Sequence, residues 1–121
     1  MKRALIIEDQ RPVRESLGEL LKLAGLDVRL VGDGHAALEE AMATQYDLLT
    51  VDLNMPSLDG LSLIETVVSE DGPNQKTPIV VISAFLSPDM EQTLRDHGVV
   101  DCLSKPFEAE RLLELAKDVV D

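Results

Sequence analysis

Five polar residues in this 121-residue chain stand at or just beyond the ends of short apolar runs, and their types belong to one kind of chemistry. Glu8 and Asp9 follow the run 4–7, Asp52 follows 48–51, Ser83 follows 79–82, and Lys105 stands just past the weaker run 102–103. Three carboxylates at close range repel one another unless a cation sits among them. Oxygen donors with no His or Cys beside them suit a hard divalent ion, Mg²⁺ or Mn²⁺. Mg²⁺ typically takes one or two carboxylates, some waters and a phosphoryl oxygen. Lys105 adds a mobile point charge and Ser83 a hydroxyl donor, which together make a site for an anion. A carboxylate beside a metal and facing a cation is equipped to attack a phosphoryl donor and form an aspartyl phosphate, and Asp52 is the residue best placed to do so.

This chemistry requires all five residues on one rim, so it makes a demand on the fold. The runs 4–7, 28–31, 48–51, 79–82 and 102–103 alternate with segments of helical period, as in a parallel sheet with helices on both faces. Val13, Leu17, Leu20, Leu21 and Ala24 make the first helical stripe, with Pro12 in its first turn and Gly25 at its stop. Ala37, Leu38, Ala41 and Met42 make the second, Leu61, Ile64, Val67 and Val68 the third, and Leu112, Leu113, Ala116, Val119 and Val120 the fifth. The fourth opens on Ser87 as N-cap and Pro88, but only Met90 and Leu94 give it an apolar face before Gly98, which predicts the least firmly packed helix. Segment 69–77, polar and carrying Gly72-Pro73, reads as a loop.

The predicted fold is α/β, a (βα)5 doubly wound five-stranded parallel sheet in the order 2-1-3-4-5. Ligands of such sheets bind outside the carboxyl ends of the strands where strand order reverses, between strands one and three. Glu8, Asp9 and Asp52 therefore converge on one crevice. An acid at a strand end, taken alone, is as readily a turn residue or an N-cap, and only the joint placement carries the reading. Asp27, Asp33 and Asp47 fall outside the rim and read as solvated loop or cap residues.

With 23 acidic against 11 basic residues the net charge is −12, and 45% of residues are hydrophobic, enough for one ordinary core. The length predicts a single domain over 1–121, with no output domain in the chain. Tyr46, Phe85 and Phe107 are the only aromatic residues, so no platform exists for stacking bases, and the negative field repels nucleic acid and anionic membrane. Cys102 is the single cysteine, which excludes an intrachain disulfide and a Cys-rich metal site. It reads as a small buried hydrophobe rather than a redox sensor. The run 4–7 stops at Glu8-Asp9 and is too short for a signal peptide, and no stretch reaches membrane-spanning length, so the expected location is cytoplasmic. His35 and His97 read as surface residues with no metal or phosphoryl-transfer role.

Ile6-Ile7-Glu8-Asp9, Asp52-Leu53-Asn54-Met55-Pro56 with Asp59-Gly60, Val80-Val81-Ile82-Ser83-Ala84 and Lys105-Pro106-Phe107 occur in this order over nearly the whole chain. In these elements the sequence resembles the CheY-like receiver domain of two-component response regulators, whose fold is flavodoxin-like. The resemblance implies that Asp52 accepts a phosphoryl group from a sensor histidine kinase or a phosphotransfer protein. It implies that Glu8, Asp9 and Asp52, with the backbone carbonyl of Asn54, bind Mg²⁺. Ser83 would be the switch hydroxyl and Lys105 the partner of a phosphoryl oxygen, with Ala84, Phe85, Cys102 and Pro106 in the switch region. Asn54 and Phe85 would tune hydrolysis of the phosphoryl group, and Phe85 would be either a lid over the site or part of a partner surface. The Lys105-Pro106 bond would be cis. Phosphorylation would repack the fourth helix, fifth strand and fifth helix, altering the face offered to a downstream protein or a linked output domain.

Two departures qualify the likeness. Cys102 stands where the family usually has Tyr or Phe, so there is no ring to swing. Leu115 and Arg111 replace the Arg and the acid typical of the winged-helix transcription-factor branch, whose dimer interface is therefore not encoded. The expected state is a monomer or a weak phosphorylation-dependent dimer, and the chain is expected to be a switch, not a metabolic enzyme. A phosphatase of the haloacid-dehalogenase kind needs an acid where Asn54 stands. A flavin or nucleotide site would need glycine in the turn 8–12. The remaining alternative is a phosphorylation-independent protein-binding scaffold on the same fold.

Overall fold

The structure, a computed structural model, describes residues 1–120. Asp121 and the side chain of Val120, the last member of the fifth stripe, lie outside the described residues. Strands β1 (Arg3–Ile7), β2 (Asp27–Val31), β3 (Leu48–Val51), β4 (Ile79–Ser83) and β5 (Asp101–Ser104) alternate with helices α1 (Arg11–Leu23), α2 (Gly34–Ala43), α3 (Gly60–Ser69), α4 (Pro88–Asp96) and α5 (Ala109–Val120). All pairings are parallel and the order is β2-β1-β3-β4-β5, as the sequence pattern predicts.

The period of two along each strand divides the core between two faces. Leu5, Ile7, Leu49, Val51, Ile79 and Val81 pack with Ala37, Ala41, Leu63, Ile64, Val67 and Leu94 from α2, α3 and α4. On the other face Ala4, Ile6, Leu48, Val80, Ile82 and Leu103 pack with Leu17, Leu21, Leu112, Leu115 and Ala116 from α1 and α5. β3 and β4 are buried throughout, which is why they read as apolar runs, interrupted only by Thr50 and ended by Ser83. β2 is an edge strand whose Asp27 and Arg29 face solvent, a charged rim that discourages pairing with another chain. Asp27 is thus the first residue of β2, opposite Arg3, and not a loop or cap residue. Asp33 does cap α2, accepting from the Ala36 N–H at 2.9 Å, and Asp47 accepts from the Arg3 N–H at 2.8 Å.

α4 has the sparse packing its sequence predicts. Ser87 caps it by accepting from the Met90 N–H at 3.1 Å, Leu94 is its one fully buried residue, and Met90 packs in part. Segment 70–77 is a loop, as expected, though Ser69 belongs to the last turn of α3, and the loop is a fastened one. Asn74 is buried within it, accepts from the Tyr46 N–H at 2.8 Å and from the Thr77 hydroxyl at 2.9 Å, and donates to the carbonyls of Ala41 and Thr44 at 2.5 and 2.7 Å. Tyr46, beside it, donates its hydroxyl to Glu40 and lies under the Arg3 guanidinium, 4.9 Å from the ring centre. Burial, aided by the Glu40 carboxylate, pushes the Tyr46 phenol up to about 12.

On β3, Thr50 lies between Ile6 and Val80, buried, and its hydroxyl has no hydrogen-bond partner among the described residues. A buried hydroxyl without a partner is destabilising against an apolar group of the same shape. Thr50→Val is expected to raise the unfolding free energy by about 1 kcal/mol, read from urea denaturation. A loss of stability would mean that the hydroxyl is partnered, for instance by a buried water.

Candidate functional site

The sheet ladders run one residue past the strands at the rim that carries the polar residues. Glu8 N–H donates to the Val31 carbonyl at 3.1 Å, Asp52 N–H to the Ile7 carbonyl at 3.0 Å, and Lys105 N–H to the Ser83 carbonyl at 2.9 Å. Together with the parallel pairing of β3 and β4, these bonds bring the ends of β1, β3, β4 and β5 to one rim. Carboxylate oxygens of Glu8, Asp9 and Asp52 lie within 4.8 Å of one another. Lys105 Nζ lies 2.5 Å from Glu8 Oε1 and 3.1 Å from Asp52 Oδ2. Asn54 closes the ring, its N–H donating to Asp52 Oδ1 at 3.1 Å and its side-chain amide to Ser83 Oγ at 3.0 Å.

Glu8, Asp52 and Ser83 are buried and Asp9 is half-buried, so the charges interact with little screening. Burial raises the Glu8 carboxyl above its usual range, against the opposing hydrogen bond from Lys105. Burial also works against the Lys105 ammonium, but its bonds to Glu8 and Asp52 outweigh that and hold it above an ordinary lysine. One cation against three acids leaves the pocket negative, and its donors are all oxygens. The residues present therefore fit a hard divalent ion.

The loop after Asp52 is built to start α3 close to the acid. Asp59 caps α3, accepting from the Ser62 N–H at 2.8 Å, and this bond holds its carboxyl below the usual range. Gly60 lies against the backbone of Asp52 and Leu53, where a Cβ would meet the Asp52 carbonyl and come 2.7 Å from Leu53 Cα. Ser57 joins this loop to α2, donating to Asp33 at 2.7 Å and accepting from the Gly34 N–H at 3.1 Å.

Not every predicted site residue is gathered here. Phe85 is 81% exposed and packs no lid over the pocket, and Ala84 is exposed beside it. Cys102 is half-buried against the α2–α3–α4 core, and burial pushes its thiol up, in keeping with a small hydrophobe. Pro106 is exposed, and the Lys105-Pro106 bond is cis. His35 is exposed, but His97 is not a free surface residue. Its Nδ1 lies 2.7 Å from the Thr93 carbonyl and its Nε2 3.5 Å from Glu65, so it spans α4 and α3.

Arg14 escaped the sequence reading. It donates from Nη1 to the carbonyls of Glu8 and Asp9 at 2.9 and 3.1 Å. The available signal was a basic residue in the first turn of α1, where the helix dipole disfavours it.

Comparison with known proteins places this arrangement in a lineage. The profile described as "Response regulator receiver domain" matches residues 4–117. The transcriptional regulatory protein PdtaR of Mycobacterium tuberculosis is 35% identical over 113 residues, 93% of this chain and 53% of that protein. A protein-glutamate methylesterase/protein-glutamine glutaminase of Anaeromyxobacter dehalogenans is 33% identical over 106 residues, 86% of this chain but 29% of that protein. The chain thus spans about half or less of the length of these relatives. The chemotaxis response regulator CheY4 of Vibrio cholerae superposes with a TM-score of 0.87 at 29% identity, covering 98% of each chain. Among the described residues no helix is long and apolar enough to cross a membrane. The profile match over almost the full length, the shared fold and the acid pocket at the rim lead to one conclusion: the chain belongs to the receiver domain family of two-component response regulators.

Proposed function

We propose that the chain is a phosphorylation-dependent switch in which Asp52 accepts a phosphoryl group from the phosphohistidine of a sensor histidine kinase or a phosphotransfer protein. The observation that carries this reading is Lys105 Nζ set between two buried carboxylates, Glu8 and Asp52, in a pocket that remains negative. In the transfer a carboxylate oxygen of Asp52 attacks phosphorus, the P–N bond breaks, and its electron pair returns to the donor imidazole. Mg²⁺, held by Glu8, Asp9, Asp52 and the Asn54 carbonyl, would neutralise charge on the phosphoryl oxygens. Lys105, released from Glu8 and Asp52, binds a phosphoryl oxygen, and the Ser83 hydroxyl leaves Asn54 to donate to another.

Movement at Ser83 is transmitted through residues 84–87 to α4, and the α4–β5–α5 face then binds its target differently. That target is a downstream protein or an output domain, met in the cytoplasm. The chain catalyses no reaction beyond its own phosphorylation and dephosphorylation. Intact mass after incubation with acetyl phosphate and Mg²⁺ tests the reading. One phosphoryl increment is expected, absent from Asp52→Asn and absent with chelator. No increment in the parent chain, with no binding of beryllofluoride, would overturn it in favour of a phosphorylation-independent scaffold.

A further inference from the structure

We propose that Arg14 is a positioning residue for the cation of the acid pocket, and that Gly32 is the notch that admits it. The proposal rests on the Mg²⁺ reading above. Glu8 and Asp9 are adjacent acids in a tight turn, and their repulsion tends to splay that turn. Arg14 reaches back from α1 and donates from one guanidinium nitrogen to both of their carbonyls, at 2.9 and 3.1 Å. Among the described residues it makes no ion pair with a carboxylate. Its bonds go to main chain, so what it fixes is the orientation of the two peptide units from which the acids project.

The position is unfavourable on other grounds. α1 has no acid in its first turn and no side-chain cap at Gln10, so a cation there opposes the helix dipole uncompensated. A local rule broken beside a functional site points to a role in that site. The second element involved is the residue just after β2. A Cβ at Gly32 would overlap Arg14 Nη1 and come 3.0 Å from its Cζ. Gly32 has no positive φ, so its backbone accepts alanine, and the group in the way is the free end of a flexible side chain. Gly32→Ala therefore displaces the guanidinium while keeping the charge and the fold.

Charge and positioning predict opposite signs. As a like charge near the pocket, Arg14 would weaken Mg²⁺ binding and its removal would tighten it. As a clamp on the acid turn, it would strengthen binding and its loss would weaken it.

The test is calorimetric titration with Mg²⁺ of the parent chain, Arg14→Met, Gly32→Ala and the double variant, with urea unfolding in metal-free buffer beside it. Each single variant is expected to weaken binding about tenfold, the range seen when a group supporting metal ligands is lost. The double variant should be no weaker than Arg14→Met, and Gly32→Ala should unfold near the parent midpoint. Unchanged or tighter binding in either single variant, or additive losses in the double, would overturn the proposal while leaving the Mg²⁺ reading intact. A parent chain that takes no Mg²⁺ would overturn both.

Discussion

Lys105→Met is expected to destabilise the metal-free protein by about 3–5 kcal/mol at neutral pH, a large part of the stability of a domain this size. Methionine keeps most of the volume but removes the only cation, among the described residues, bonded to the carboxylates of Glu8 and Asp52, whose side chains are 1% and 5% exposed. Two buried carboxylates are then left unpaired. The deficit should depend on pH with a definite sign. Burial already raises the folded-state Glu8 carboxyl above 4.5, and loss of the lysine raises it further. A raised folded-state value means that the folded chain binds the extra proton, so stability is retained below the unfolded value and lost as pH rises through the folded one. The gap from the parent should therefore narrow toward pH 4 and be full near pH 7. Mg²⁺ at about 100 times its Kd should restore some 2.7 kcal/mol. Urea unfolding at several pH values, with and without Mg²⁺, checks each part, and a variant as stable as the parent in metal-free buffer would mean that water, not Lys105, compensates these acids.

Asn74→Ala has the next largest expected effect, about 3 kcal/mol, although the residue is far from the acid pocket in sequence and lies in a polar loop. Alanine strands the Tyr46 N–H and the Ala41 and Thr44 carbonyls in a buried place, and each such group costs about 1–3 kcal/mol unless water enters the space. Asn74→Asp sharpens the test. An aspartate still accepts from Tyr46 and Thr77, but once ionised it turns a charged oxygen toward two carbonyls. That variant should be worse than alanine at neutral pH and should recover on acidification, when the protonated acid can donate one bond. A change under 1 kcal/mol in Asn74→Ala would mean that the loop repacks without the staple.

These two residues also mark how much can be read from sequence. β1, β3 and β4 are legible because both of their faces are covered, so apart from Arg3 at the start of β1, Thr50 in β3 and Ser83 at the end of β4 they run as apolar segments. Glu8, Asp9, Asp52, Ser83 and Lys105 are legible as a set because each one ends or follows such a segment, and the parallel topology carries all those ends to one rim. Asn74 leaves no such trace. Three of its four partners are main-chain atoms some 30 residues away, so a stapled loop and a solvated one have the same composition. Arg14 and Gly32 are hidden for the same reason. One binds carbonyls and the other matters only for the side chain it lacks. Asp27 misleads in the opposite way, because an edge strand tolerates an acid that a central strand would not.

α4 has one buried leucine to hold it to the sheet. Burial of that leucine is worth roughly 2–3 kcal/mol, and with Met90 packing only in part and His97 reaching Glu65 the helix is held far less firmly than the central strands. In hydrogen exchange its amides would open locally and early, while those of β3 and β4 would wait for global unfolding. The domain thus joins a slow-exchanging sheet to a fast-exchanging helix at the four-residue link 84–87 that follows Ser83. A change worth a few kcal/mol at that link therefore acts on α4 first and leaves the sheet as it was.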